Sequence, residues 1–225
     1  IERLPVIRFC YQPLGELPQE RLEPPCLTYG HITFGSFNNT VKYNSELFDV
    51  WGHILKDLPT SRLLLKWKNF HDPVFRERIA RSFEKRGIER SRIEMRGWSL
   101  HVDMLAEFAD VDIILDTFPF TGGITTCNAL WMGVPVVSLQ GETVVGRQGY
   151  AILKQIDLEE LAANSTEHYI NIAEGLANNT TLLSLLRCTL RSRMRKSKIC
   201  DVKGFTKHLE DVFIRIYDNK TQKHL

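Results

Sequence analysis

The sequence predicts an α/β fold, a parallel sheet with helices on both faces, and three observations carry this. Short apolar runs recur at Ile32 to Phe37, Arg62 to Trp67, Arg92 to Arg96, Val111 to Leu115 and Val134 to Leu139. The stretches between them place apolar residues at helical spacing, and two of them open on a capping residue. Strand and helix alternate in the way that right-handed βαβ units require. The chain has 225 residues, 43% hydrophobic and 25% charged, enough for one sizeable core.

Residues 1–27 carry Pro5, Pro13, Pro18, Pro24 and Pro25 and read as a connector with one extended piece at Val6 to Tyr11. Residues 28–225 form the domain proper. Its first strand is Ile32 to Phe37. Asn44 then caps a helix through Leu55, whose Leu47, Val50, Trp51, Ile54 and Leu55 share a face. Arg62 to Trp67 is the second strand. Asp72-Pro73 is an N-cap followed by proline at the first helical position, and that helix runs to about Arg86 and stops at Gly87. Arg92 to Arg96 is a strand and Ser99 to Phe108 a short helix. A buried strand (Val111 to Leu115), a glycine-rich loop, a helix and a further strand (Val134 to Leu139) follow. After Gly146 the chain reads as helical to its end. Asn164 with Glu167 resembles a capping box. Later helices span about Leu182 to Arg195 and Val202 to Tyr217, with a polar, frayed tail from Asp218.

The net charge of +2 gives no nucleic-acid signal. Basic residues cluster from Arg187 to Lys198, where a solvated helix face is expected because acidic residues flank them and aromatics do not interleave. Five cysteines (Cys10, Cys26, Cys127, Cys188, Cys200) lie without metal spacing, which fits reduced thiols in a cytoplasmic protein. No apolar run approaches the ~18 residues that span a bilayer, and no signal-peptide pattern occurs. The chain opens on Ile1 rather than Met, and the expectation is a piece of a longer protein.

The run Asp116 to Val137 is the most informative stretch. Gly122 and Gly123 lie between a buried strand and a helix that begins near Thr125 and Thr126. Free N–H groups at such a helix start, with the positive end of its dipole, make an anion site. The glycines admit a phosphate to the backbone and the threonines add hydroxyl donors. The same residues also suit a tight turn with capping threonines. Ligands of open parallel sheets bind at the carboxyl ends of the strands, where Asn39, Lys42, Lys66, Trp98, Ser99, His101, Glu142 and Arg147 also fall. Asp110-Val111-Asp112 spells a metal-binding DxD string, yet it starts a strand on the opposite side and reads as structural. No GxGxxG follows the first strand, and no Ser-His-Asp or HExxH arrangement occurs.

Asp116-Thr-Phe-Pro-Phe-Thr-Gly-Gly-Ile-Thr-Thr-Cys-Asn-Ala-Leu-Trp-Met-Gly-Val-Pro-Val-Val137 resembles the signature of bacterial O-GlcNAc-transferase-like, SPINDLY-type glycosyltransferases linked to tetratricopeptide repeats. Further anchors are Ile32 to Asn39 with Lys42, Leu63 to Lys66, Arg96 to Ser99 with His101, and Gly141 to Thr143 with Arg147. The resemblance runs from about Leu4 to Tyr217. It implies a Rossmann-like domain, the C-terminal, nucleotide-sugar-binding lobe of a two-lobed GT-B enzyme that moves GlcNAc or another hexose from a UDP-sugar to Ser or Thr of proteins. By the same resemblance residues 1–27 match the connector between lobes, and the missing N-terminal lobe and upstream repeats hold the protein acceptor.

The resemblance also implies roles. Lys42 matches the lysine that stabilises the departing diphosphate, the catalytic group of this half. Asn39, Lys66, Gly122, Gly123, Thr125, Thr126 and Arg147 are donor-site candidates, and Trp98 and His101 belong to the base pocket. Asn128 departs from the pattern: the family carries an acidic residue there, which accepts from the ribose hydroxyls, and an asparagine accepts without charge assistance. No metal or other cofactor is implied. A non-catalytic scaffold with a decayed nucleotide site and a UDP-sugar epimerase-like lobe stay open as alternatives.

Overall fold

A computed structural model describes Leu4, residues 7–13, residues 17–19 and residues 21–221. The extended piece expected at Val6 to Tyr11 is therefore seen only from Ile7, and the tail beyond Thr221 lies outside the described residues. Six strands form one parallel sheet in the order β3-β2-β1-β4-β5-β6. They are β1 (Thr33–Ser36), β2 (Arg62–Lys66), β3 (Ile93–Arg96), β4 (Ile113–Leu115), β5 (Val136–Leu139) and β6 (Ala162–Ala163). Phe34 pairs with Leu63 on one side and Ile113 on the other, so β1 is central. Every residue of β1 and β4 is buried, as in strands covered on both faces.

The helices are α1 (Cys26–Tyr29), α2 (Ser45–Asp57), α3 (Pro73–Glu84), α4 (His101–Ala106), α5 (Ile124–Trp131), α6 (Gln148–Lys154), α7 (Thr166–Ala177), α8 (Thr180–Lys196) and α9 (Val202–Thr221). Asn44 caps α2 by accepting from the Leu47 N–H, and Asp72 caps α3 by accepting from the Val74 N–H with Pro73 in place behind it. α7 packs on α2, β4 and β5, and α5 packs on α8.

Four expectations change. The segment after Gly146 is not wholly helical: Ala162 and Ala163 pair with Ser138 and Leu139, a strand too short to show any periodicity. The cap of α7 is Ser165, whose side chain accepts from the His168 N–H, while Asn164 Oδ1 lies against His168 Nδ1. α9 continues past Tyr217 to Thr221, since an existing helix extends at little cost through polar residues.

The fourth change concerns the basic run from Arg187 to Lys198, which is solvated only in part: Arg195, Lys196 and Lys198 are exposed, whereas the earlier arginines turn inward. Arg187 is 1% exposed and donates to the carbonyls of Val111, Phe108 and Arg21. Arg191 donates to the Trp131 carbonyl, and the guanidinium groups of Arg191 and Arg195 stack against the Trp131 ring. Arg187 and Arg191 tie α8 to the carbonyls of the neighbouring layer. The five cysteines are free thiols. Asp112 is structural, as expected: buried, it accepts from the N–H groups of Cys26 and Thr33 at the amino end of the sheet.

Candidate functional site

The strand order reverses between β1 and β4, and this is the switch point at which open parallel sheets bind ligands. The segment after β1 brings Asn38 and Lys42 there, and the segment after β4 brings Thr121 to Thr125. Lys42 is half-buried. Its Nζ donates to Asn38 Oδ1 at 2.9 Å and to the Thr121 carbonyl at 3.0 Å, and sits 4.4 Å from the Phe120 ring centroid. Burial pulls the Lys42 ammonium below its ordinary value, and the nearby Asp116 carboxylate opposes that shift.

Asp116 organises the loop. Fully buried at the end of β4, its Oδ1 accepts from the N–H groups of Gly122 (2.7 Å) and Thr117 (2.9 Å) and from Asn38 Nδ2 (3.2 Å). Its Oδ2 accepts from Ser138 Oγ at 2.8 Å. Desolvation pushes this carboxyl above the usual range, against the pull of Ser138, Lys42 and the two amides. Gly122 has to be glycine here: a Cβ would lie 2.3 Å from Thr126 Oγ1 and 2.9 Å from Asp116 Oδ1.

The candidates therefore take different places. Gly122 supplies clearance, because its own N–H is committed to Asp116. Gly123 is the N-cap of α5, so the helix start faces the loop as the sequence predicts. Thr125 Oγ1 lies 3.3 Å from Asn38 Oδ1, beside the Lys42 ammonium. Thr126 Oγ1 is buried and has no hydrogen-bond partner among the described residues. A helix start, hydroxyls and an ammonium in one crevice can hold an anion and stabilise charge that develops on it.

A cleft of about 460 Å³ opens beside this cradle, lined in part by Phe37, Lys66, Trp98, His101, Met104 and Thr125. Trp98 is 62% exposed, and its backbone N–H donates to His71 Nε2. Lys66 lines the cleft with a committed ammonium, 2.5 Å from Glu107 Oε1 and 2.7 Å from Ser99 Oγ. The apolar walls and few polar groups suit a planar, partly polar ring.

Three candidates are engaged elsewhere. Asn39 caps the turn Thr40–Lys42 by accepting from the Val41 N–H, and Asn38 takes the inward place. Asn128 Oδ1 accepts from the Tyr11 hydroxyl at 2.9 Å. Arg147 is exposed with its guanidinium over Tyr150, and Glu142 is also exposed. Sequence reasoning passed over Asn38, Asp116 and Phe120. Asp116 left a signal, a charged residue closing an apolar strand; Asn38 was hidden behind its twin. It also passed over the connector, from which Arg8 donates to Gln148 and Phe9 approaches Gly123.

Sheet order, switch-point cradle and adjoining cleft define a Rossmann-like α/β lobe of the GT-B class. The chain belongs to glycosyl transferase family 41, whose profile matches residues 25–209. It is 38% identical over 212 residues to a probable UDP-N-acetylglucosamine–peptide N-acetylglucosaminyltransferase SPINDLY of Solanum lycopersicum, covering 94% of this chain and 23% of that protein. Against the UDP-N-acetylglucosamine–peptide N-acetylglucosaminyltransferase of Caenorhabditis elegans it is 27% identical over 181 residues, 80% of this chain and 16% of the other. A mutant of the Thermobaculum terrenum O-GlcNAc transferase superposes with a TM-score of 0.90 at 34% identity, over 100% of this chain and 42% of that one. The chain thus spans about a quarter of the SPINDLY relative's length and less than half of the bacterial transferase. Among the described residues no helix is long and apolar enough to cross a membrane.

Proposed function

We propose that this chain is the donor-binding half of a transferase that moves GlcNAc, or another hexose, from a UDP-sugar to Ser or Thr of proteins. The observation that carries the reading is the meeting of the Lys42 ammonium and Thr125, at the start of α5, on the single atom Asn38 Oδ1. The uracil takes the cleft beside Trp98 and His101, and the diphosphate bridges from there to Lys42. As the sugar–phosphate bond breaks, charge grows on UDP; a fixed ammonium and the helix start lower that barrier. The names of the relatives support UDP-N-acetylglucosamine as donor and a peptide as acceptor.

Charge neutralisation falls to Lys42 and the helix, so transfer in this reading is metal-independent and survives chelation. The acceptor is held by parts of the longer protein outside this chain. The free thiols support a cytoplasmic setting. Calorimetric titration of the full-length protein with UDP tests the reading: saturable binding that the Lys42→Ala variant weakens is expected, and no binding would sink it. The engagement of Asn128 by Tyr11 favours a second reading, a scaffold whose nucleotide site has decayed; a full-length protein that neither binds UDP nor transfers sugar would select it.

A further inference from the structure

Asn38 is 2% exposed and every polar atom of its carboxamide is engaged. Asp116 Oδ1 receives three N–H groups, from Thr117, Gly122 and Asn38, so this oxygen acts only as an acceptor. The Lys42 ammonium only donates. A carboxamide between the two has one permitted orientation, nitrogen to the carboxylate and oxygen to the ammonium. That oxygen then receives both Lys42 Nζ at 2.9 Å and Thr125 Oγ1 at 3.3 Å. Aspartate at this position would face the buried Asp116 carboxylate, and serine is too short to reach both partners.

We propose that Asn38 is a positioning residue: held by Asp116, its carboxamide oxygen fixes the Lys42 ammonium next to Thr125, where the leaving diphosphate is neutralised. The inference rests on the donor-site reading above. Without Asn38 the ammonium keeps the Thr121 carbonyl, the Phe120 ring and the more distant pull of Asp116, and loses the one acceptor it shares with Thr125. Misplacing the ammonium matters chiefly once charge develops, so the loss falls on turnover rather than on donor binding.

The test compares full-length protein with its Asn38→Ala and Asn38→Ser variants in UDP binding, steady-state kinetics and thermal melting. Expected is a fall in kcat of roughly 10- to 100-fold with KM for the UDP-sugar within about twofold. The alkaline limb of kcat/KM also moves to lower pH. Lys42 faces Asn38, Asp116, the Thr121 carbonyl and the Phe120 ring, and losing an acceptor disfavours its charged form. Unchanged kcat and pH profile overturn the inference alone. Losses that follow the unfolded fraction in both variants also overturn it, in favour of a purely structural role. An unsubstituted protein that neither binds UDP nor transfers sugar overturns the donor-site reading, and this inference with it.

Discussion

The Tyr11 hydroxyl donates to Asn128 Oδ1 across 2.9 Å, between residues 117 positions apart, and both side chains are buried. Tyr11 N–H also donates to the Ile199 carbonyl. The connector is thereby fastened to α5, the helix whose start forms the cradle. Tyr11→Phe leaves a buried carbonyl oxygen unpaired and is expected to cost about 1–3 kcal/mol. Denaturant unfolding measures it, and a loss well under ~0.5 kcal/mol would show that water replaces the hydroxyl.

Gly122→Ala forces a methyl group against Thr126 Oγ1 and Asp116 Oδ1, at 2.3 and 2.9 Å. The loop must shift, breaking the hydrogen bond from the Gly122 N–H to Asp116. We expect a destabilisation of about 1–3 kcal/mol and a clear loss of UDP affinity, read by melting and calorimetry. An alanine variant that binds UDP normally would contradict the close packing of this loop.

Lys42→Met removes the ammonium while keeping much of the stem. If Lys42 neutralises the leaving group, kcat falls by roughly 10²–10³. In the unsubstituted protein activity needs the charged form, and burial lowers the pH at which that form is lost. The alkaline limb of kcat/KM should therefore lie below the ordinary lysine value of 10.5. Retained turnover in the methionine variant would remove Lys42 from the mechanism.

Asp116 binds its proton more tightly in the folded protein than its ordinary value of 3.8. Between that value and the raised one, the native state holds more protons than the unfolded chain. Stability contributed by this group is therefore full at pH below 3.8 and declines as pH rises through the window. The unfolding free energy of the protein, minus that of Asp116→Asn, should fall with pH across this range. A difference that rises instead would mean that the hydrogen bonds and Lys42 outweigh desolvation.

Arg187→Met should cost roughly 3 kcal/mol or more, since hydrogen bonds to a charged group are each worth about 1.5–3. The guanidinium holds carbonyls of Val111, Phe108 and Arg21 from inside the protein. Equilibrium unfolding checks this, and a change near zero would return the residue to the solvated face first expected.

Much of the fold was legible from local chemistry. Asn44 and Asp72-Pro73 announce their helices because a cap acts within three residues, and the apolar runs announce β1, β2 and β4 because burial on both faces leaves no room for alternation. β6 was not legible, being two residues long. The glycine-rich turn and Lys42 were read from the motif, but Asn38 and Asn39 are the same residue type side by side. Only backbone direction assigns one to the cap and the other to Asp116.

Local pattern and composition specified the alternating α/β architecture, the glycine turn before α5 and the family resemblance, because each depends on neighbours close along the chain. Packing decided which polar groups meet: Asn38 with Asp116 across 78 positions, Tyr11 with Asn128 across 117, Arg187 with Val111 across 76. Their direction is set by donors and acceptors that become neighbours only when the sheet closes. Arg187, in a basic run that reads as solvent-facing, thus turns out to hold interior carbonyls while Lys196 and Lys198 stay exposed.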